Sequence, residues 1–348
     1  MFGLDIGTSF VKIIQLRKDE AGYSATVAAR VEVDQSEEGI GHKEYAGVEA
    51  AIARVLKSAT IRGKYAVCGV SGPDVVVRSF NLPSLIGGEL SHAVLLEAEQ
   101  VCPFDIDQCM VDYQVLGEIA SERTSEGDQD GGVRVYGVLA AATNEVVSRR
   151  RRLARDAGLT CVFVDVNNLA LLNCFVEYEG LPSSQATAVL DIGSGSSSLA
   201  IIRADGMPFI RDMEYAGNDI IRQMAQEQQI SRHEVSKLLH GAEVEAQAGE
   251  VWQESLKRAL HKLTVNIIQT LRYYTVQEGA RVEQVYVCGG LSQAQGVLGL
   301  LAEQLPAQVL LWNPFRKVRW QGDALGLEVL ERHGPAMVVA AGLGMRAI

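Results

Sequence analysis

Met1-Phe-Gly-Leu-Asp-Ile-Gly-Thr-Ser-Phe-Val-Lys12 opens the chain, and its reading decides the fold. Phe2, Leu4 and Ile6 alternate as in a short buried strand, Gly7-Thr8-Ser9 forces a tight turn, and Val11 to Leu16 reads as a second strand antiparallel to the first. The backbone N–H groups of the turn, its two hydroxyls and Lys12 suit a phosphate. Asp5, at the strand end, suits a magnesium ion held through water. Taken alone, an ordinary hairpin with a glycine turn accounts for the same residues, and the alternative for Lys12 is to point to solvent.

A second copy changes the balance. Ala188-Val-Leu-Asp191-Ile-Gly193-Ser-Gly195-Ser-Ser-Ser-Leu-Ala-Ile-Ile202 repeats strand, Asp, apolar residue, Gly, hydroxyl turn and strand. Aligning Asp5 with Asp191 also aligns Gly7 with Gly193, Thr8 with Ser194 and Ile13 with Leu199. A repeat at this distance implies two related half-molecules and not a short-period solenoid. Two such hairpins facing across a cleft would grip a polyphosphate from both sides, with two carboxylates flanking its metal. A third piece, Val285-Tyr-Val-Cys288-Gly289-Gly290-Leu-Ser292, is an apolar strand running into Gly-Gly, where the missing Cβ lets the backbone approach a flat ring.

In this order the three pieces resemble the phosphate-1, phosphate-2 and adenosine motifs of the actin, sugar kinase and heat-shock chaperone ATPase superfamily. The resemblance implies an α/β fold, the actin-like ATPase fold, with two related halves around a nucleotide cleft. It implies ATP and Mg as ligands. The expected contacts are Asp5, Gly7, Thr8, Ser9 and Lys12 in the first loop, Asp191, Gly193, Ser194, Gly195 and Ser196 in the second, and Gly289, Gly290 and Ser292 in the third. Asp5 and Asp191 are the expected Mg ligands, through water. Gly217 and Asn218, at a helix start, read equally as a nucleotide contact or as a helix cap. Glu234 and Lys237 occupy the place of a Glu-x-x-Lys pair that contacts adenosine in the superfamily, but Ser231 and Glu234 also spell a capping box. Phe10 stands where relatives carry a small polar residue, and Ser194, Ser196 and Ser197 replace the usual Ala and Thr mix. Both departures keep the backbone donors and bear more on hydrolysis than on binding.

A formal charge of −11 argues against a general nucleic-acid binder. The six cysteines contain no Cys-x-x-Cys pair, which fits reduced cytoplasmic thiols better than a disulfide framework or a zinc site. Asp5 and Lys12 interrupt any export signal, and no apolar run is long enough to span a bilayer. Membrane association is therefore expected only indirectly, through a partner.

Along the chain, strands are expected from Tyr23 to Val33, Tyr65 to Val70 and Val75 to Leu82, with a helix from Tyr45 to Ala59 among them. Leu82-Pro83-Ser84 reads as a boundary. Beyond it come a helix from Glu89 to Val101, a strand holding Asp112-Tyr113-Gln114, a polar loop from Glu118 to Gly132, a return strand from Val133 to Ala142, and a helix from Asn144 to Ala157. That last helix carries Arg149 to Arg152, read as a solvated face before a lipid or acidic-partner contact. The expected organisation is 1–83 with 162–182 as the first-half core and 84–161 as an inserted subdomain. Residues 183–215 with 263–348 form the second-half core, and 216–262 a smaller subdomain. A long helix from Glu250 to Gln277 carries the apolar stripe Trp252, Leu256, Leu260, Leu263, Ile267 and Leu271. Small residues from Pro335 to Met345 permit close packing against the helix from Asn168 to Glu177, forming a hinge.

Glu97-Ala-Glu-Gln-Val-Cys-Pro-Phe104, then Asp112-Tyr-Gln114, and Asn313-Pro-Phe315 resemble the PilM family, actin-like proteins of the type IV pilus inner-membrane platform, with an insert placed as in FtsA. This implies an ATP-binding scaffold on the cytoplasmic face of the inner membrane. The implied partner is the cytoplasmic N-terminal peptide of a PilN-like membrane protein, in a groove between the first subdomain and the insert. Phe104 and the strand from Val75 to Leu82 are expected walls. Other platform proteins and self-association are further expected partners. The alternatives are an FtsA-like division and membrane-tethering protein, disfavoured because the chain closes at Ile348 without an amphipathic tail, and a small-molecule kinase, disfavoured by the lack of large substrate-pocket insertions. No residue stands out as a water-positioning base, although Asp165 and Asn167 lie in the right stretch, so slow ATP turnover is expected at most.

Overall fold

The computed structural model describes residues 1–20, 22–34, 46–59, 61, 63–85, 88–120, 133–183, 185–241 and 246–346. The first half holds β1 (Phe2–Ile6), β2 (Phe10–Asp19), β3 (Gly22–Glu32), α1 (Ala46–Ser58), β4 (Tyr65–Val70), β5 (Val75–Pro83), α2 (Glu89–Val101), β6 (Cys109–Ala120), β7 (Val133–Thr143), α3 (Asn144–Asp156), β8 (Thr160–Val166) and α4 (Asn167–Glu179). The second half holds β9 (Ala186–Ile192), β10 (Ser197–Ile202), β11 (Pro208–Met213), α5 (Gly217–Gln228), α6 (Arg232–Leu239), α7 (Ala246–Glu278), β12 (Val282–Cys288), α8 (Val297–Gln304), β13 (Gln308–Leu311), β14 (Arg319–Trp320), α9 (Ala324–His333) and α10 (Val338–Met345).

The duplication read from the two Asp-x-Gly turns extends to whole sheets. One sheet runs β14-β3-β2-β1-β4-β8 and the other β11-β10-β9-β12-β13. In each, an antiparallel hairpin is followed by strands added in parallel on its other side, β4 on β1 and β12 on β9. Alternation in β1 sends Phe2, Leu4 and Ile6 to one face, where they pack with Ile52 and Val55 of α1 and with Leu153 of α3. Gly3 and Asp5 therefore face the other way, toward α10.

α4 and α10 cross between the halves. Their residues share one core with Val67 of the first sheet and Val189, Ala200 and Cys288 of the second. The approach is close enough that a Cβ on Gly342 would overlap the carbonyl oxygen of Ala170. The small-residue run expected to form a hinge is thus fully buried between the two halves.

The inserted module differs from expectation at both ends. β5 joins β7 and β6 in a separate three-stranded sheet, order β5-β7-β6, so the sheet boundary lies between Val70 and Val75 and not after Pro83. Strand periodicity shows which face is buried but not which strand is the partner, and Pro83 ends β5 without starting a new unit. At the far end α3 returns to the first sheet, where its Leu153 and Ala154 join the core of α1 and β4. The module's sheet ends with β7 at Thr143, and α3, expected inside the module, packs on both sheets. Most of the polar loop from Glu118 to Gly132 lies outside the described residues. β14, paired in parallel with β3, and α9 behind it are two elements the periodicity did not reveal.

Candidate functional site

Both hairpins are built alike at the turn. Gly7 N–H donates to Phe10 O at 3.0 Å, and Gly193 N–H donates to Ser196 O at 3.1 Å. In both, the Asp two residues before the Gly stands in register with a residue near the start of the returning strand, Asp5 opposite Lys12 and Asp191 opposite Ser198. The two turns meet: a Cβ on Gly195 would overlap Thr8 Oγ1. Thr8, Gly7, Ser9, Ser194, Gly195 and Ser196 are thus brought to one place, as the repeat implied.

Lys12 does not turn to solvent. Its Nζ lies 2.8 Å from Asp5 Oδ2, with the two side chains 16% and 7% exposed. Asp191 feels both groups. Burial pushes its carboxyl up to about 6, Lys12 pulls it down, and Asp5 and then Asp212 push it up. Asp5, Lys12 and Asp191 therefore form one electrostatically linked group under the two turns. The residue equivalent to Lys12, Ser198, is wired away from the cleft: its hydroxyl donates to Asn168 Oδ1 at 2.7 Å, and Asn168 Nδ2 donates to Asp212 Oδ1 at 2.9 Å.

Gly217 and Asn218 brace the second turn. Their N–H groups donate to Gly193 O and Ser194 O at 2.9 and 2.8 Å, so these two donors are occupied by the turn itself. Ala216, not Asn218, is the N-cap of α5. Gly289 has φ +89°, and the place of its Cβ is filled by Asp191 Oδ1 and Ile192 O, whereas a Cβ on Gly290 would meet nothing within 4 Å. Gly289 therefore makes room for a carboxylate, and Gly290 is the residue with open space for a ring. Ser292 is buried, with its hydroxyl donating to Gly289 O at 2.8 Å.

α6 reaches this loop by its C-terminal end. Gln295 N–H donates to Leu239 O at 2.8 Å, and His240 Nε2 lies 3.4 Å from Gly290 O. Glu234 is occupied locally: its carboxylate accepts from Ser231 N–H at 2.9 Å and Ser231 Oγ at 2.6 Å, which is the capping box. Glu234 and Lys237 are both exposed. Asp165 is not beside the two turns. It is buried, accepts from Arg346 Nε at 2.9 Å, and lies in a separate groove, while Asn167 Nδ2 donates to Ser71 Oγ at 3.1 Å.

That groove, of about 620 Å³, runs between the module and the first sheet. Its walls are β6 and β8, each the last strand of its sheet. Met110 and Phe163 line it and are 49% and 56% exposed. Of the expected wall residues, Val77 to Ser79 of β5 line a different cleft, of about 750 Å³, with β11 and α7, and Phe104 lines neither of the two. The arginine run is also divided among tasks. Arg149 pairs with Glu145, Arg150 Nη1 donates to Ile6 O at 3.1 Å behind the first turn, and Arg151 lines the groove. Alternation in α3 alone could not have separated these roles.

Among the known families, that of the type IV pilus assembly protein PilM matches residues 3–348. A solved PilM-PilN type IV pilus biogenesis complex superposes with a TM-score of 0.81 at 26% identity, over 99% of this chain and 97% of that one. Two more distant structures share the fold at 12% identity: a diol dehydratase-reactivating factor in nucleotide free form, with a TM-score of 0.54 over 99% of both chains, and the ethanolamine utilization protein EutJ from Carboxydothermus hydrogenoformans, with 0.53 over 99% of this chain and 88% of that one. With the duplicated sheets, the paired Asp-x-Gly turns and a match across nearly its whole length, this chain has the actin-like ATPase fold and belongs to the PilM family of type IV pilus assembly proteins.

Proposed function

We propose that this chain is a nucleotide-binding scaffold of the pilus platform, which holds the N-terminal peptide of a PilN-like membrane protein in the groove between β6 and β8. The observation that carries the reading is the groove itself. Two strands at the edges of their sheets, β6 and β8, line one space, and exposed Met110 and Phe163 offer apolar anchors within it. An extended peptide fits such a site by adding to a strand edge, with alternate side chains in pockets. The solved PilM-PilN complex supports the same class of partner. No helix among the described residues is long and apolar enough to cross a membrane, and such a peptide would hold the chain at the cytoplasmic face of the inner membrane.

The second ligand in this reading is Mg-ATP, between the two turns. The residues fit it: backbone N–H groups, the hydroxyls of Thr8, Ser9, Ser194 and Ser196, and the ammonium of Lys12 supply donors for phosphate oxygens. Asp5 and Asp191 would hold magnesium through water, and the bound metal would neutralise phosphate charge. Lys12 already has Asp5 as a partner, so its positive charge is positioned before any phosphate arrives. Asp165, the candidate water-positioning base, is held by Arg346, which supports a binding role over rapid hydrolysis.

The test is a calorimetric titration of the protein with a synthetic PilN N-terminal peptide, with and without Mg-ATP. One-to-one binding that is lost in Phe163→Asp, with an unchanged melting temperature, is the expected result. Full retention of affinity in that variant would overturn the groove assignment. Asp5→Ala with Asp191→Ala is expected to abolish Mg-ATP binding.

A further inference from the structure

Arg30 lies outside the three motifs, on the strand beside Lys12. It lies on β3 in register with Lys12 on β2, which is in register with Asp5 on β1. Residues in register on neighbouring strands project from the same face, so Asp5, Lys12 and Arg30 form one row across the sheet. Lys12 is neutralised by Asp5. Arg30 has no ion-pair partner among the described residues. Its guanidinium carbon sits 3.4 Å from the centroid of the Phe10 ring, and its Nε is buried with no hydrogen-bond partner. Burial pulls its pKa down to about 10, opposed by Glu32.

Among the described residues no carboxylate makes an ion pair with this cation, and Glu32 acts on it only from farther off. His333, at the end of α9, is the histidine that Arg30 repels, and burial with Arg30, His240 and Arg332 pulls its pKa down to about 4, so it is neutral at physiological pH. His240 in turn lies against the carbonyl of Gly290 in the adenosine loop. The guanidinium therefore stands between the first turn, through Phe10, and the histidines beside the third motif. A desolvated guanidinium with an unused donor is costly in the free protein and is repaired by a bidentate acceptor such as phosphate. Phe10 is also the residue that departs from the small polar pattern of relatives, and its ring is what holds the guanidinium flat.

We infer that Arg30, held by Phe10, is a phosphate-binding residue of the cleft and takes an oxygen of the bound nucleotide beside Lys12. The inference rests on the nucleotide-binding reading above. It assigns a second side-chain cation to a site whose motifs supply one.

The experiment compares wild-type protein, Arg30→Met and Arg30→Lys in two readouts: equilibrium binding of ATP, ADP and adenosine with magnesium, and thermal melting without ligand. Arg30→Met is expected to weaken ATP and ADP binding about tenfold or more, to leave adenosine unchanged, and to melt at a higher temperature than wild type, because a partly buried cation with an unpartnered Nε has been removed. Arg30→Lys is expected to fall between the two in ATP affinity. Unchanged ATP affinity in Arg30→Met would overturn the inference, as would an equal loss for adenosine or a lowered melting temperature with all ligands weakened alike. Failure of the wild-type protein to bind ATP would instead overturn the nucleotide-binding reading itself.

Discussion

Asp191 is the residue whose chemistry is most changed by its surroundings. Its carboxyl, ordinarily near 3.8, is raised to about 6, chiefly by burial. As pH rises from about 4 to 6 the unfolded chain loses this proton before the folded one does, so the folded state binds more protons and stability falls across that window. The fall is on the order of 2 kcal/mol, and it should vanish in Asp191→Asn, as urea titrations at pH 4.5 and 7 would show. In the proposed site proton and magnesium would compete for this carboxylate, so Mg-ATP affinity should weaken below pH 6 in the wild type, and calorimetry across pH should find that slope lost in Asp191→Asn. Lys12 carries a different prediction. Lys12→Met leaves buried Asp5 without its 2.8 Å partner and should cost about 1–3 kcal/mol at neutral pH by chemical denaturation.

Among the elements, two glycines set how closely backbones approach. Alanine at position 289 would need φ +89° and would collide with the Asp191 carboxylate. Gly289→Ala should therefore destabilise by about 1–2 kcal/mol from backbone strain alone and push Asp191 off its position. Gly342→Ala wedges α10 away from the Ala170 carbonyl of α4 and should cost about 1–3 kcal/mol as overpacking. Gly249, inside α7, has open space around the place of its Cβ. Gly249→Ala should instead stabilise by about 0.5–1 kcal/mol, which makes it the control for helix propensity in the same melting series. Elements of this kind were legible where a period ran long enough. The two hairpins, the stripe of α7 and the capping box of α6 all follow from local spacing. β14 has only two residues and shows no period, and α9 was not separated from the loop before it. Partnership was not legible either: β5 alternates as it would in any sheet, and only contact with β7 reveals which sheet it joins.

For the molecule as a whole, the sequence carried the two-fold plan because the plan is written twice, in Asp5-x-Gly7 and Asp191-x-Gly193. What it could not carry is the meeting of distant surfaces. The groove depends on β6 and β8, separated by forty residues and by a module boundary, and Arg30 enters the cleft only once β3 is laid beside β2. The Phe163→Asp prediction belongs to this scale, since it alters a surface between units and no core. α10 links the two sites. Just before it, Pro335 O accepts from Gly289 N–H at 2.9 Å, and just after it, Arg346 grips Asp165 in the groove. An eight-residue helix is about 12 Å long, so a tilt of about 5° at one end sweeps the other by about 1 Å. The helix thus ties the Gly289 loop to Asp165 in the groove, and a shift of Arg346 at one end is felt at Pro335 near the other.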